Sequence, residues 1–231
     1  LEDLSDLIKA QKLAAWTEAA QRIAHEIKNP LTPIRLAAER LRVKHREGAP
    51  EIGELLEESV ATIVREVGKM QALVDEFSRY ARMPGPQLAA TAIEGLVSEV
   101  VALYRDVKPG VAIRTELAPG IGEVWVDPEQ LRRVLINLLD NALEATEPPG
   151  DVAVRGERRG ERLILEVADE GSGIATEDRG KLFLPFFSRK KRGTGMGLAI
   201  VHRIVSDHNG AIRVADNLPR GSVFTIELPA R

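Results

Sequence analysis

The chain contains no cysteine, and that absence removes several kinds of chemistry at once. Disulfide bonds, thiolate metal sites and thiol nucleophiles are excluded, and the composition suits a reducing compartment. An excess of positive charge is also missing, since 32 basic residues accompany 35 acidic ones. With a net charge of -3 the chain has no overall field that would recruit nucleic acid, so we expect no nucleic-acid partner. Any affinity for phosphate must come from a local site.

Long apolar runs are missing as well. None approaches the roughly 20 residues that a membrane-spanning helix needs. The chain begins at Leu1 without the pattern of a signal peptide. We therefore interpret it as a cytoplasmic piece of a longer protein. Its 231 residues suffice for one large domain or two modest ones.

Glycine is absent before Gly48, and the first 82 residues predict two long helices that are separated at Gly48-Ala49-Pro50. Apolar residues recur in both helices with the seven-residue period of a helical bundle. In the first helix they are Leu13, Trp16, Ala20, Ile23, Ile27, Ile34, Ala37 and Leu41, and in the second Ile52, Leu56, Ile63, Met70, Leu73, Phe77 and Tyr80. A lone hairpin buries too little of two such stripes, so we predict a homodimer that completes a four-helix bundle.

Met83-Pro84-Gly85-Pro86 is a stiff interruption that marks a domain boundary. Beyond it, helical and strand-like segments alternate. We predict helices near residues 92–105, after Asp127 and near 197–208, and strands near 111–117, 123–126, 152–158, 162–168, 211–215 and 222–228. For the helix after Asp127, that aspartate is the predicted N-cap, Pro128 takes the first position and Gln130 lies three residues after the cap. The second half is therefore predicted to be an α/β sandwich, a mixed sheet covered by helices.

One histidine has unusual neighbours, in the stretch Ala24-His25-Glu26-Ile27-Lys28-Asn29-Pro30. With Ile27 on the bundle seam, His25 points away from the core. A neutral imidazole nitrogen is a competent nucleophile, so His25 suits a phosphoryl acceptor, and Glu26 suits the carboxylate that fixes its tautomer. Asn29 shares this helical face and would position a water that removes phosphate from a partner. A surface histidine without a special role is the alternative.

Two prolines, Pro30 and Pro33, lie within the same helical pattern. They indicate either a hinge beside the acceptor histidine or a helix that ends at Lys28. We interpret the other three histidines as ordinary surface or capping residues. They are His45, His202 and His208.

The helix after Asp127 carries Asn137, Asn141 and Glu144 on one face. Mg²⁺ prefers oxygen ligands and keeps several waters, so an amide oxygen together with triphosphate oxygens would complete its shell. We select Asn141 as that ligand. A helix surface with two solvated amides is the alternative.

Two glycine-rich segments suit a nucleotide. In Asp169-Glu170-Gly171-Ser172-Gly173, the glycines allow the backbone to approach a flat ring, and Asp169 suits the adenine amino group, although such a pattern alone is more often a turn. The second segment, Gly193 to Leu198, opens a helix whose backbone N–H groups suit phosphate oxygens. Its candidate binding residues are Gly193, Thr194, Gly195, Gly197 and Leu198. It matches neither a P-loop nor a Rossmann fingerprint.

A basic run, Ser188-Arg189-Lys190-Lys191-Arg192, lies between the two glycine-rich segments. It is either a solvated face or a mobile lid that places Lys190 and Arg192 over ATP. Phenylalanines before it would anchor the lid or simply fill the core. They are Phe183, Phe186 and Phe187.

In their order along the chain these segments resemble the sensor histidine kinases of two-component systems. The stretch from His25 to Pro30 resembles the phosphoacceptor box, Asn137 to Ala145 the N box, Asp169 to Gly173 and Gly193 to Gly197 the two glycine boxes, and Phe183 to Phe187 the F box. Residues 31–34 and 38–42 further resemble the nitrogen-regulation kinases of the NtrY type.

The resemblance implies an organisation of two domains. Residues 1–11 would end an upstream sensory domain, 12–82 would form an all-α hairpin for dimerisation and histidine phosphotransfer, 83–90 a linker, and 91–231 an ATP-binding domain of the Bergerat (GHKL) fold. Full-length relatives are usually membrane-anchored, so we expect the full protein in the inner membrane, with upstream segments as its only membrane contact.

The resemblance also implies an activity. ATP and Mg²⁺ would phosphorylate His25, and the phosphoryl group would pass to an aspartate of an NtrX-like response-regulator receiver domain. Asn29 meets the family's phosphatase pattern. ATP-hydrolysing relatives have a glutamate where this chain has Asn137, and an amide cannot activate water. A GHKL-type ATPase and a dimeric docking scaffold that binds nucleotide without turnover are the alternatives.

Overall fold

A computed structural model describes residues 27–48, 50, 52–189 and 194–230. The chain divides into two compact units at the junction between Met83 and Pro84. In the described part of the chain, no helix is both long enough and apolar enough to cross a membrane.

The first unit is a helical hairpin, as predicted. Helix α1 is helical over residues 27–46, and α2 spans Ile52–Ala81. Since α1 continues through Pro30 and Pro33, the alternative in which the helix ends at Lys28 is wrong. Pro33 has no N–H to donate to the Asn29 carbonyl, so this turn lacks one bond of the regular helical pattern.

Helix α2 has two apolar faces, of which only one is covered within the chain. Leu55 and Leu73 are buried on the inner face, together with Ser59 and Glu66. The buried Glu66 carboxylate accepts a hydrogen bond from Lys69 Nζ at 2.7 Å, which holds the pKa of Glu66 below its usual value. A second stripe is exposed along the helix and consists of Leu56, Val60, Val64, Val67 and Val74. Leu56, which we placed on the bundle stripe, lies in this exposed row and is 49% exposed in the single chain.

The second unit contains seven strands and four helices among its described residues. They are β1 (Ala89–Ala92), α3 (Ile93–Ala102), β2 (Val111–Leu117), β3 (Glu123–Val126), α4 (Pro128–Ala145), β4 (Gly150–Arg159), β5 (Arg162–Asp169), α5 (Thr176–Arg179), α6 (Gly197–Asp207), β6 (Ala211–Asp216) and β7 (Ser222–Pro229).

Five strands form a mixed sheet in the order β2-β4-β5-β7-β6. Strands β2 and β4 are parallel and the other neighbours are antiparallel. Alternate residues on one face are buried, as period-2 strands require, and the apolar sides of α3, α4 and α6 are buried as well. The other face carries polar pairs such as Arg155 with Glu116, at 2.9 Å. The predicted two-layer α/β sandwich is confirmed.

A two-stranded ribbon was not predicted. Strand β1 pairs antiparallel with β3, with Ala89 opposite Val126. Its sequence, Ala-Ala-Thr-Ala, has little strand propensity of its own, so tertiary pairing creates it. The last two residues of the segment that we assigned as a linker, residues 83–90, therefore belong to a strand.

The N-cap of α4 forms as predicted, but its surroundings differ from a simple capping box. Asp127 Oδ1 accepts from the backbone N–H groups of Glu129 (3.1 Å) and Gln130 (3.0 Å). The Gln130 side chain turns instead to the Pro84 carbonyl, at 3.2 Å. The Asp127 N–H donates to His208 Nε2 at 3.0 Å, and His208 is only 7% exposed. His208 is the C-cap of α6, which agrees with our interpretation of it as a surface or capping residue, but its bond to Asp127 was not predicted.

Two side chains from the loop after α3 hold the C-terminal half of α4. Tyr104 donates its hydroxyl to Asp140 Oδ1 at 2.7 Å. Lys108 Nζ donates to the carbonyls of Leu143 and Thr146, at 2.8 and 2.7 Å, and so satisfies oxygens that lack helical partners. Burial, followed by the hydrogen bond to Asp140, raises the pKa of Tyr104 above its ordinary value of 10.0.

This raised pKa predicts alkaline destabilisation. Above the ordinary tyrosine pKa the unfolded chain loses the phenol proton while the folded chain keeps it, so the free energy of unfolding falls as pH rises. Tyr104→Phe should reduce that slope by up to about 1.4 kcal/mol per pH unit, and partial exposure makes the change smaller. Urea unfolding between about pH 9 and pH 11 measures it. Tyr80→Phe is the control, and equal slopes in the native chain and Tyr104→Phe would contradict the prediction.

Candidate functional site

The polar face of α4 approaches the start of α6. Asn137 and Asn141 are half-buried and lie one turn apart on α4. Asn137 Nδ2 donates to the Arg133 carbonyl at 2.7 Å. Its other side-chain atom, Oδ1, lies so close to Gly197 that a Cβ on that glycine would be 2.8 Å away. A side chain at position 197 would have to displace the Asn137 amide oxygen.

The first turn of α6 presents backbone N–H groups. Its N-cap is Met196, which makes no side-chain capping bond, and Gly197 and Leu198 follow as the first helical residues. Thr194 Oγ1 accepts from the Met196 N–H at 3.4 Å and shapes the entry to the helix. The first amides of a helix lack internal partners and attract anions, so this turn suits phosphate oxygens.

Asp169 lies at the end of β5 and is only 3% exposed. Its Oδ1 accepts from the N–H groups of Gly171 (2.8 Å) and Ser222 (3.2 Å), and Asn217 Nδ2 donates to its backbone carbonyl at 2.9 Å. These bonds fix the direction of a carboxylate that is costly to bury. Asp169 therefore has the rigid orientation that reading one edge of a base requires.

Sequence reasoning missed the turn between β6 and β7 that supports Asp169. Gly221 has φ of +105°, and a Cβ there would lie 1.8 Å from the Asp169 carbonyl oxygen. A glycine just before the last strand was the only sequence signal of this contact. Its role could not be seen without the pairing of β5 with β7.

The glycines after Asp169 make close backbone contacts. A Cβ on Gly171 would lie 2.6 Å from the Ala145 carbonyl oxygen, so this glycine packs against the last residue of α4. Gly173 has φ of +72°, which favours glycine. The structure thus gives Gly171 a reason to be glycine that is independent of any ligand.

The phenylalanine segment supports the second glycine-rich segment. Phe186 is buried with φ of +62°, a conformation that is rare for a residue with a side chain. A Cβ on Gly195 would lie 2.6 Å from the Phe186 carbonyl carbon. The Phe183 ring lies 5.5 Å from the ring of His202 on α6, where burial lowers the histidine pKa. Phe186 fills core, and this segment also positions the backbone near α6.

The predicted site residues fall into three groups. Asn29 is exposed on α1 in the first unit. His25, Glu26, Lys190, Arg192 and Gly193 lie outside the described residues. The remaining candidates lie in the second unit, on α4 or on segments next to its two glycine contacts. They are Asn137, Asn141, Asp169, Gly171, Gly173, Thr194, Gly195, Gly197 and Leu198.

This arrangement has the features that ATP requires. An oriented carboxylate ends β5, and α6 begins with helix amides that lack internal partners. Two amide side chains lie on α4, Asn137 at the contact with Gly197 and Asn141 between that contact and Ala145. The carboxylate suits an exocyclic amino group, and the helix start suits phosphates.

Each half of the chain matches a known protein family. Residues 15–86 match the His Kinase A (phospho-acceptor) domain. Residues 126–231 match the family described as histidine kinase-, DNA gyrase B- and HSP90-like ATPase.

Similar proteins include the nitrogen regulation protein NtrY of Azorhizobium caulinodans, at 40% identity over 99% of this chain. The chain spans only 30% of the length of that relative. Among solved structures, the mycobacterial sensor histidine kinase MprB is 30% identical with a TM-score of 0.58, over 63% of this chain and 99% of that one. The histidine kinase ThkA in complex with the response regulator TrrA is 27% identical with a TM-score of 0.75, over 100% of this chain and 66% of that one. The resemblance drawn from the motifs is confirmed.

The contact between Asn137 and Gly197 predicts a sensitive position. Gly197→Ala would force Asn137 or α6 to move, so we expect affinity for an ATP analogue to fall about tenfold. Gly95→Ala is the matched control, because a Cβ at that helical position meets nothing within 4 Å. Isothermal titration calorimetry measures both, and equal affinities would show that this contact does not shape the binding site.

Proposed function

Because this chain belongs to the sensor histidine kinases of two-component systems, we propose that it is the catalytic part of an ATP- and Mg²⁺-dependent protein histidine kinase. The γ-phosphoryl group of ATP is transferred to His25 and then to an aspartate of a response-regulator receiver domain. The observation that carries the proposal is the joining of a phospho-acceptor segment, residues 15–86, to an ATPase-type domain, residues 126–231.

The proposed domain organisation assigns dimerisation and phosphotransfer to residues 12–82 and ATP binding to residues 91–231. The division of the structure at Met83 and Pro84 supports this assignment. Residues 1–11 would continue an upstream sensory segment, and segments of that kind would anchor the full-length protein in the inner membrane.

In the proposed nucleotide site, Asp169 accepts a hydrogen bond from the adenine amino group. Gly173 leaves room for the ring, and the first turn of α6 binds phosphate oxygens through the amides near Gly195, Gly197 and Leu198. Thr194 shapes that turn, and Gly171 holds the base-binding segment against α4. Lys190, Arg192 and Gly193 would belong to a lid that closes over the phosphates.

Asn141 is the proposed Mg²⁺ ligand, since its amide oxygen is a hard donor on the half-buried face of α4. When bound, Mg²⁺ neutralises charge on the phosphates during transfer. The chain's own contribution is to hold the triphosphate in a fixed position between α4 and the start of α6.

Asn137 favours phosphotransfer over hydrolysis. Its Nδ2 is occupied by the Arg133 carbonyl, and its amide cannot take a proton from water. The phosphoryl group is then available to a nitrogen of His25. In that step the bond from the γ-phosphorus to the bridging oxygen breaks, ADP leaves with the electron pair, and a phosphorus–nitrogen bond forms. Glu26 orients the imidazole and takes up its proton, and Asn29 positions water for the phosphatase reaction on the regulator.

The proposed homodimer rests on the exposed stripe of α2. Val64 is 64% exposed and Val74 is 51% exposed, which is unusual for a row of aliphatic side chains at helical spacing. Burying this row against a second copy would complete a four-helix bundle. The regulator is proposed to be NtrX-like, by analogy with the NtrY relative.

Incubation with γ-labelled ATP and Mg²⁺ tests the proposed activity. We expect label that is acid-labile and base-stable, because a phosphorus–nitrogen bond hydrolyses in acid. His25→Ala should abolish it, and His45→Ala, an exposed histidine on α1, should retain it. ATP binding with no label on the native chain would contradict autophosphorylation and favour a docking scaffold. Phosphate release without any phosphohistidine would favour an ATPase.

A charge on the exposed stripe should weaken the dimer. Val64→Glu places a carboxylate where the second copy would pack, so the dimer dissociation constant should rise at least tenfold. Ala72→Glu adds the same charge at an exposed position of α2 that lies outside this stripe and should leave the dimer intact. Sedimentation equilibrium compares the two variants. Equal dissociation constants would place the dimer interface elsewhere.

A further inference from the structure

Asp127 and His208 form a junction at the ends of α4 and α6 that are remote from the proposed nucleotide site. Asp127 precedes the first residue of α4, and His208 follows the last residue of α6. Both residues are at least nine-tenths buried. Because Asn137 meets Gly197 at the start of α6, the two helices run antiparallel, and α6 contacts α4 at both of its own ends.

The hydrogen bonds show which nitrogen of the His208 ring carries the proton. Nδ1 lies 2.8 Å from the Ile204 carbonyl oxygen, which can only accept, so Nδ1 carries the proton. Nε2 is therefore the acceptor for the Asp127 N–H, at 3.0 Å. The ring is a neutral bridge between the last turn of α6 and the residue that caps α4.

Asp127 satisfies three further donors. Its Oδ1 accepts from two amides of the first turn of α4, and its Oδ2 accepts from the Gln87 N–H at 2.9 Å. The carboxylate thus fixes the start of α4 against the segment before β1. Only the bond through its backbone N–H reaches α6.

We infer that His208 and Asp127 are positioning residues for nucleotide binding, because their bond keeps α4 and α6 at the separation that the site between Asn137 and Gly197 requires. Both helices carry proposed nucleotide contacts, and neither His208 nor Asp127 lies at those contacts. This inference rests on the proposed nucleotide site. Without the bond, the helices also populate separations that do not bind, and the apparent affinity falls by the competent fraction.

Two variants of His208 separate the bridge from the local cap. His208→Asn retains a donor for the Ile204 carbonyl but is too short to reach Asp127, and leaves a buried N–H without an acceptor. His208→Gln can still reach Asp127 with its side-chain oxygen. We expect His208→Asn to bind an ATP analogue with Mg²⁺ about threefold to tenfold more weakly, and His208→Gln to recover most of the affinity.

Two controls separate positioning from general loss of stability. Leu163→Ala removes a buried side chain at the opposite end of β5 from Asp169. It should lower the melting temperature without changing the affinity. Gln87→Pro removes the other long-range bond to Asp127 and should also leave the affinity unchanged. If Leu163→Ala or Gln87→Pro weakens binding as much as His208→Asn, the inference is overturned.

Hydrogen exchange on the native chain provides a test that does not depend on whether a variant folds. A bound ATP analogue favours the helix separation at which the Asp127 N–H is bonded to His208. Saturation with the analogue should therefore slow exchange of the Asp127 amide, by about the factor by which it lowers the population with the bond broken. Unchanged exchange at Asp127 in a chain that binds nucleotide would refute the positioning role while leaving the proposed kinase intact. A native chain that binds no nucleotide would refute both.

Discussion

The ATP-binding unit depends on one constraint, the contact of helix α4 with the backbone of two glycines from separate segments. Ala145 meets Gly171 at one end of the helix, and Asn137 meets Gly197 nearer its middle. A Cβ on Gly171 would meet the Ala145 backbone, and a Cβ on Gly197 would meet the Asn137 side-chain oxygen. These contacts bring the segment that follows β5 and the start of α6 to the same helix. The β6–β7 turn supports the first glycine segment through Asp169, and the phenylalanine segment packs against the second at Gly195.

The sequence predicted most of this unit because its signals are local. Alternating strands, the Asp127 cap and the glycine-rich segments each depend on neighbours within a few residues. The missed features depend on distant partners. Strand β1 exists through pairing with β3, and His208 is buried because Asp127, 81 positions earlier, presents an N–H to it. Gly221 supports Asp169 only after β5 and β7 pair.

The hairpin shows the same division between local and distant information. Heptad spacing correctly predicted two helices, but it could not decide which apolar face a single chain covers. Leu55 and Leu73 are buried within the hairpin, whereas Leu56 belongs to the uncovered stripe. Two adjacent stripes on one helix are what a bundle helix needs when it has two neighbours. The residue roles of the acceptor segment stay predictions, because His25 and Glu26 lie outside the described residues.

The glycine contacts of α4 also bear on how such a protein can diverge. Main-chain atoms are the same whatever the side chain, so a helix that rests on glycine backbone has a position that substitutions in the facing segments cannot gradually shift. Substitution at an exposed neighbouring position, such as Ser172, would alter the surface of the site but not the placement of the helix. Segments around the site can therefore change while the central helix keeps one placement, whereas loss of Gly171, which faces the Ala145 backbone, would be a discontinuous event.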